Sequence, residues 1–359
     1  MRLQRKILVR PEDVKPSFKD WKVEGVLNPG GVRLKNGKIF LLARVAEAPI
    51  HRGKNSVKCP VIISEKEHAA SFKTISKKKV EKEDGNVIFF TDKTCKLRTI
   101  SHFRKIILDK SGLNVESIEQ SPTFVGCPHE SEYGVEDARI TKIKNNFFMT
   151  FVTVSERNGV STSLAQSNDL KKWKRMGTIF QEQNKDVVLF PEKINGLYAA
   201  LNRPESSFVF SKPSIWISYS TDLVFWGKEK VLLRTRDNSW ESERNGAGPP
   251  PIKTKKGWLI IYHGIKKEKG KHIYSVGAAL LDLKNPEKIL ARTPKNNPLL
   301  VPSISVEKKG FMDNVVFPTT AIPCLDNPKE LLIYSGAADR MITVMKLSLK
   351  EIFANMEKC

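Results

Sequence analysis

A single local plan recurs five times along this chain: a short strand, a turn rich in Asn, Asp or Gly, and a second apolar strand that closes on a polar residue. It appears first at Gly31–Arg44 around Asn36-Gly37. It returns at Ala138–Val154 around Asn145-Asn146, at Pro191–Arg203 around Asn195-Gly196, at Pro249–His263 around Lys256-Gly257, and at Pro318–Ala338 around Asp326-Asn327-Pro328. Asn-Gly is a strong hairpin signal, because both central residues of the tight turn take positive φ. Hairpins repeated mostly at roughly 50 to 70 residues predict radial repetition, an all-β fold built as a five-bladed β-propeller of four-stranded blades. A sandwich followed by a second domain would not produce the same hairpin five times.

A fainter repeat has the same implication. Ser167-Asn168-Asp169-Leu170-Lys171-Lys172-Trp173 matches Ser220-Thr221-Asp222-Leu223-Val224-Phe225-Trp226, each downstream of a hairpin, as turns before outer strands. The long interval between Gly31 and Ala138 is assigned to an insertion rather than to a sixth blade, with Lys77–Gly85 as an exposed loop. Helical periodicity is confined to Leu349–Ala354, a short C-terminal helix. Residues 1–359 are therefore expected to form one propeller domain.

The formal charge of +22 comes from scattered lysines, densest at Lys77-Lys78-Lys79 and from Lys266 to Lys271. These patches read as solvated turns between strands. No ribonucleoprotein motif, zinc spacing or helix-turn-helix pattern supports nucleic-acid contact. A basic surface does suit an anionic substrate such as phosphate. The five cysteines, Cys59, Cys95, Cys127, Cys324 and Cys359, are odd in number and far apart. That argues against a disulfide framework and for a reducing compartment. No apolar run has the length of a signal peptide core or approaches the ~20 residues of a membrane helix, so a cytoplasmic protein without membrane contact is expected. No His/carboxylate spacing implies a metal.

Within Tyr133-Gly134-Val135-Glu136-Asp137-Ala138-Arg139-Ile140, three ionisable side chains interrupt an apolar segment. Asp137 stands at the mouth of a strand, where a half-buried carboxylate needs a partner, and Arg139 is available. Taken alone, such a cluster is commonly structural. A propeller changes that reading, since it would gather the polar strand ends Arg44, Asp137, Arg157, Arg203, His263 and Asp339 around one pocket.

The motifs Asn28-Pro29-Gly30-Gly31, Gly134-Val135-Glu136-Asp137-Ala138-Arg139, Asn184–Lys193, Gly246-Ala247-Gly248-Pro249, Gly257–Gly264 and Tyr334–Asp339 occur in that order. Together they resemble glycoside hydrolase family 130, the β-mannoside phosphorylases and related β-mannosidases, over about Asn28 to Leu347. The resemblance implies a five-bladed propeller in which inorganic phosphate attacks a β-mannoside with inversion, releasing α-mannose 1-phosphate. It places the family's proton donor on Asp137 and its sugar-binding positions on Asn28, Arg44, Asn158 and Asp339. It places phosphate-binding basic residues on Arg157, Arg175 and Lys185. His263 joins the sugar site as a polar strand end. The expected partners are a β-mannoside or oligosaccharide and phosphate, with no cofactor beyond phosphate as co-substrate. Homo-oligomer formation stays open.

The chemistry of the residues agrees. Glycoside cleavage needs a proton on the leaving oxygen, and a partly desolvated carboxylic acid can supply it. An inverting hydrolase also needs a second carboxylate as base for water, whereas phosphate needs cations to hold it. Two departures keep a second reading open. Asn202-Arg203-Pro204 replaces the family's frequent His-Arg-Pro, and Trp240-Glu241-Ser242-Glu243 offers Glu241 or Glu243 as base for an inverting β-mannosidase. A non-catalytic propeller that serves as a binding module is the third.

Overall fold

The computed structural model describes residues 5–206 and 210–359. Almost all regular structure in it is β, with two short α-helices, Ser305–Lys308 and Leu349–Ala354. The second falls on the segment expected from the sequence. Ser348 caps it, accepting from the Glu351 amide while the Glu351 carboxylate accepts from the Ser348 amide, a reciprocal capping box. No helix among the described residues is long and apolar enough to cross a membrane.

Five sheets of four or more strands follow one another along the chain. The first holds Trp21–Arg33, Ile39–Pro49, Ile100–Leu108 and Val115–Ile118. The second runs Val135–Ile143, Asn146–Ser155, Gly159–Ser167 and Lys174–Phe180, and the third Asn184–Leu189, Tyr198–Pro204, Ile215–Ser220 and Trp226–Leu233. The fourth is built on the long hairpin Gly257–Glu268 with Lys271–Leu281, flanked by Arg244–Ala247, Ile252–Thr254 and Ile289–Arg292, with Glu357–Lys358 at its edge. The fifth takes Val316–Pro323, Glu330–Ala337 and Met341–Ser348, and is completed by Arg5–Val9 from the other end of the chain. All neighbouring strands in these sheets are antiparallel, and each predicted hairpin turn joins two paired strands.

The second strands are buried on both faces, which is why Ile39–Ala43 and Trp258–Ile261 read as unbroken apolar runs. Their side chains fill the spaces between successive sheets. Phe40, Phe103, Ile140 and Phe151 bridge the first and second sheets. Leu164, Phe148, Leu189 and Ala200 bridge the second and third. Val188, Phe190, Trp258 and Tyr262 bridge the third and fourth, and Ile261, Val276, Val316 and Ile333 the fourth and fifth. Val26, Leu41, Tyr334 and Val344 then join the fifth sheet to the first.

The repeated Ser-x-Asp-Leu turns also hold. Ser167 Oγ accepts from Leu170 N at 2.9 Å, and Asp169 Oδ1 accepts from Lys171 N and Lys172 N. Ser220 and Asp222 reproduce the pattern, and in both turns the Leu has positive φ. Asp282 makes the same two aspartate contacts in the fourth sheet, a third copy hidden because it lacks the serine and the tryptophan.

The insertion in the first sheet is real, but Lys77–Gly85 is not a loop. Lys77–Lys79 is a 3-10 turn and Val80–Asp84 is a strand, paired with Val87–Phe90 and then Cys95–Leu97. With the hairpin of Ser56–Ser64 and Ala69–Ser76, this segment builds its own small core from Val57, Cys59, Ile88 and Phe90. Val80 is the one apolar residue of Val80–Asp84, so this exposed strand shows no alternation by which the sequence could reveal it.

Candidate active site

The first strands of three successive sheets carry the same defect. Register jumps from Leu27↔Arg44 to Gly30↔Leu42, from Glu136↔Val152 to Arg139↔Thr150, and from Lys185↔Arg203 to Val188↔Leu201. In each case two residues oppose one, and the first of the two has positive φ: Asn28 at 44°, Asp137 at 55° and Asp186 at 55°. Such a bulge re-aims one side chain out of the pleat, and Asn and Asp tolerate the left-handed conformation best among residues with a Cβ. The bulges aim an amide and two carboxylates into one cavity of about 500 Å³. Residues from all five sheets line it.

Asp137 is held on one side of the cavity. Asn28 Nδ2 donates to its Oδ1 at 2.8 Å and Arg44 Nη1 at 3.1 Å, while Arg44 Nη2 donates to Glu136 Oε1 at 2.6 Å. Arg139 does not pair with the carboxylate, as its place in sequence suggested. Its guanidinium binds the main-chain carbonyls of Asp137 and Gly248, both at 2.8 Å, and so fixes the bulge rather than the acid. Burial works to raise the Asp137 pKa, but Arg44, Arg139, the Asn28 amide and Lys185 outweigh it, and the carboxyl lies below its ordinary range. Asp339 shows the opposite result. Burial, with the charges of Asp137 and Glu136, pushes it up to about 6 against the pull of Arg44 and Lys185.

The other side is basic. Arg203 Nε donates to Asp186 Oδ2 at 2.7 Å and Arg203 Nη1 to Glu205 Oε2 at 2.7 Å, and Arg244 reaches Glu205 at 3.0 Å. Lys185 Nζ stands 3.6 Å from Glu136, bridging the two sides. His263 Nε2 lies 3.6 Å from Asp186, and burial together with Arg203, Arg139 and Arg244 takes the imidazole down to about 4 despite that carboxylate. It is therefore neutral at pH 7 and acts as a hydrogen-bonding group. Burial opposes ionisation of Asp186, but Arg203, His263 and Arg139 hold its carboxyl far below the usual range. Gly246 packs against Asp186 and His263, and Gly336 against Asn28, so closely that a Cβ at either would collide.

Of the residues singled out in the sequence, Asn28, Arg44, Asp137, Lys185, Arg203, His263 and Asp339 line this cavity. Four do not. Arg157 and Asn158 lie in the turn between two cavity-lining valines, Val154 and Val160, with Arg157 exposed and both backbone amides tied to Ser155 Oγ. Arg175 sits on the outer strand of the second sheet. Its guanidinium stacks 4.2 Å from the Phe124 ring, binds Glu65 at 2.7 Å and donates to the Val125 carbonyl. Glu241, fully buried, is clasped by Arg236 at 2.5 Å and Arg292 at 2.7 Å. Glu243 faces a separate outer groove beside Lys212. Neither glutamate meets the cavity, so neither is placed to activate a water there.

Asp186, Glu205, Arg244, Glu136 and Tyr274 also line it. Asp186 had a signal in the sequence: like Asn28 and Asp137, it is an Asn or Asp that stands eight or nine residues before the Asn that opens one of the repeated hairpin turns.

The comparison with known proteins follows this geometry. The family model described as beta-1,4-mannooligosaccharide phosphorylase, of glycoside hydrolase family 130, matches residues 88–358. The chain is similar to a beta-1,2-mannobiose phosphorylase of Listeria innocua, 36% identical over 99% of this chain and 98% of that one. It is 38% identical to a 1,2-beta-oligomannan phosphorylase of Thermoanaerobacter, over 68% of this chain and 78% of that protein. The solved structure of the Listeria innocua enzyme with beta-1,2-mannobiose superposes with a TM-score of 0.89 at 35% identity, covering 99% of both chains. With the family model spanning most of the length and a relative matched almost end to end, the chain belongs to glycoside hydrolase family 130.

Proposed function

We propose that this protein is an inverting phosphorylase of β-1,2-linked mannosides, converting a mannobiose or oligomannan and inorganic phosphate to α-mannose 1-phosphate and a shortened sugar. The observation that carries this reading is the division of one cavity into a side bearing Asp137, Glu136 and Asp339 and a side bearing Lys185, Arg203 and Arg244. Similarity to β-1,2-mannoside phosphorylases over nearly the whole chain supports the linkage. The five sheets, with apolar clusters joining each to the next and the fifth to the first, support a single five-bladed propeller. Five unpaired cysteines fit a reducing, cytoplasmic setting.

In this reading phosphate lies against Lys185, Arg203 and Arg244, with neutral His263 as a further donor. Its oxygen attacks the anomeric carbon of the terminal mannose from the face opposite the leaving group. The C–O bond breaks as Asp137 passes its proton to the leaving oxygen, and the configuration at the anomeric carbon inverts. Asp137 is ionised in the empty cavity, so it must gain a proton as the complex forms. The negative charge of phosphate beside Lys185 supplies the shift, because it offsets a cation that otherwise holds the carboxylate charged. The hydrolase reading loses support with the positions of Glu241 and Glu243.

With β-1,2-mannobiose, sugar release is expected to require phosphate and to yield α-mannose 1-phosphate; free mannose at an undiminished rate without phosphate overturns the reading. In the same assay Lys185→Met is expected to raise the KM for phosphate by roughly 10- to 100-fold, as loss of a charged hydrogen bond does. Arg175→Met, which removes a guanidinium bound elsewhere, leaves it within about twofold.

Asp339 provides a test through stability. An unfolded aspartate titrates near 3.9. With the folded value raised to about 6, the folded protein takes up more protons between these values and loses stability as pH rises through about 6. Asp339→Asn is therefore expected to stabilise the protein, by about 1 kcal/mol more near pH 8 than near pH 5. Urea unfolding at the two pH values checks this, and an equal gain at both contradicts it.

A further inference from the structure

Phe311 and Met312 are apolar side chains left 47% and 38% exposed on the lining of the cavity that holds Asp137 and Asp339. They lie in the segment between the helix Ser305–Lys308 and the strand Val316–Pro323. That segment is held in place. Met312 N donates to the Ala338 carbonyl at 3.2 Å, next to Asp339, and Gly310 packs so tightly on Ala338 that no Cβ would fit. An exposed aromatic ring at a binding cavity, on a fixed backbone, calls for an apolar surface to cover it.

Mannose offers one. Its axial hydroxyl at C2 leaves the opposite ring face to the C–H bonds of C3 and C5, an apolar plane suited to an aromatic ring. The terminal mannose must sit between Asp137 and the basic side, because the bond to be broken lies there. The shortened sugar must leave toward solvent, and Phe311 is the exposed aromatic ring of the lining, whereas Phe317 is buried. We propose that Phe311, with Met312 beside it, is the platform for the mannosyl unit on the leaving-group side of the scissile bond and sets affinity for the acceptor sugar. This rests on the phosphorylase reading.

The test uses Phe311→Ala and Phe311→Trp with β-1,2-mannobiose and β-1,2-mannotriose. Loss of the ring is expected to raise the sugar KM about tenfold while kcat and the KM for phosphate stay within about threefold, and tryptophan is expected to restore it. Calorimetric titration of each protein with mannobiose in the absence of phosphate reads the contact without turnover. A tenfold weaker affinity in Phe311→Ala, regained in Phe311→Trp, supports the platform whether or not the protein proves to be a phosphorylase. Sugar affinity and KM unchanged by alanine overturn it, as does a parallel rise in the KM for phosphate, which would mean general collapse of the cavity. Phosphate-independent activity with the sugar contact intact would overturn the reaction and leave the platform standing.

Discussion

Asp137→Asn is expected to lower kcat for phosphorolysis of a β-mannobiose by roughly 10²- to 10⁴-fold, the usual worth of a positioned general acid. Asparagine keeps an oxygen for the Asn28 amide and the Arg44 guanidinium to donate to, so the sugar site retains its shape. Affinity for mannobiose measured by calorimetry should then change only a few-fold. The loss should shrink for a dinitrophenyl β-mannoside, whose leaving group departs without a proton. If asparagine leaves kcat within tenfold of the parent on the natural sugar, the proton comes from elsewhere. Asp339, whose raised pKa keeps it closer to protonation in the empty cavity, would be the first candidate.

The hairpins and the final helix were legible in the sequence because their signals are local. Asn36-Gly37 and Asn195-Gly196 dictate turns whatever surrounds them, and Ser348 with Glu351 caps a helix from four residues alone. Convergence of Arg44, Asp137, Arg203, His263 and Asp339 followed from placing those hairpins around a common axis, while Asn28 and Lys185 came from the family resemblance. What failed was the aim of individual cations. Arg175 and Arg157 share a residue type with Arg203 and Arg244, yet Arg175 is taken up by Glu65 and the Phe124 ring from distant parts of the chain. Glu241 likewise looked free for chemistry until Arg236 and Arg292 closed on it. Charge pairing across long sequence separations decides these cases, and a single sequence does not display it. The bulges were missed for another reason: an extra residue in a strand shifts the alternation by one place and shows only once the partner strand is known.

The second large effect concerns stability. Asp186 is 5% exposed and lies within ion-pair distance of Arg203, His263 and Arg139, whose Nη2 has no hydrogen-bond partner. Asp186→Ala would leave buried cations facing one another, and is expected to cost ~3–5 kcal/mol in urea unfolding, the penalty for breaking a buried pair from one side. Asp186→Asn keeps an acceptor for Arg203 and should cost less. A loss below about 1 kcal/mol for alanine would mean that water or Glu205 already compensates the arginines, and that the bulge at this position serves ligand contact alone.

Arg5–Val9 pairs with Met341–Ser348, so a strand that precedes the first sheet is built into the fifth. During synthesis the earlier sheets can pack against their neighbours as they emerge, but Arg5–Val9 stays unpaired until Met341–Ser348 has been made. Pairing the two closes a loop from Val9 to Ile342, an entropic cost incurred late. A nascent chain stalled short of Ser348 would present an unpaired strand edge to its surroundings, a template for aggregation until that strand is made.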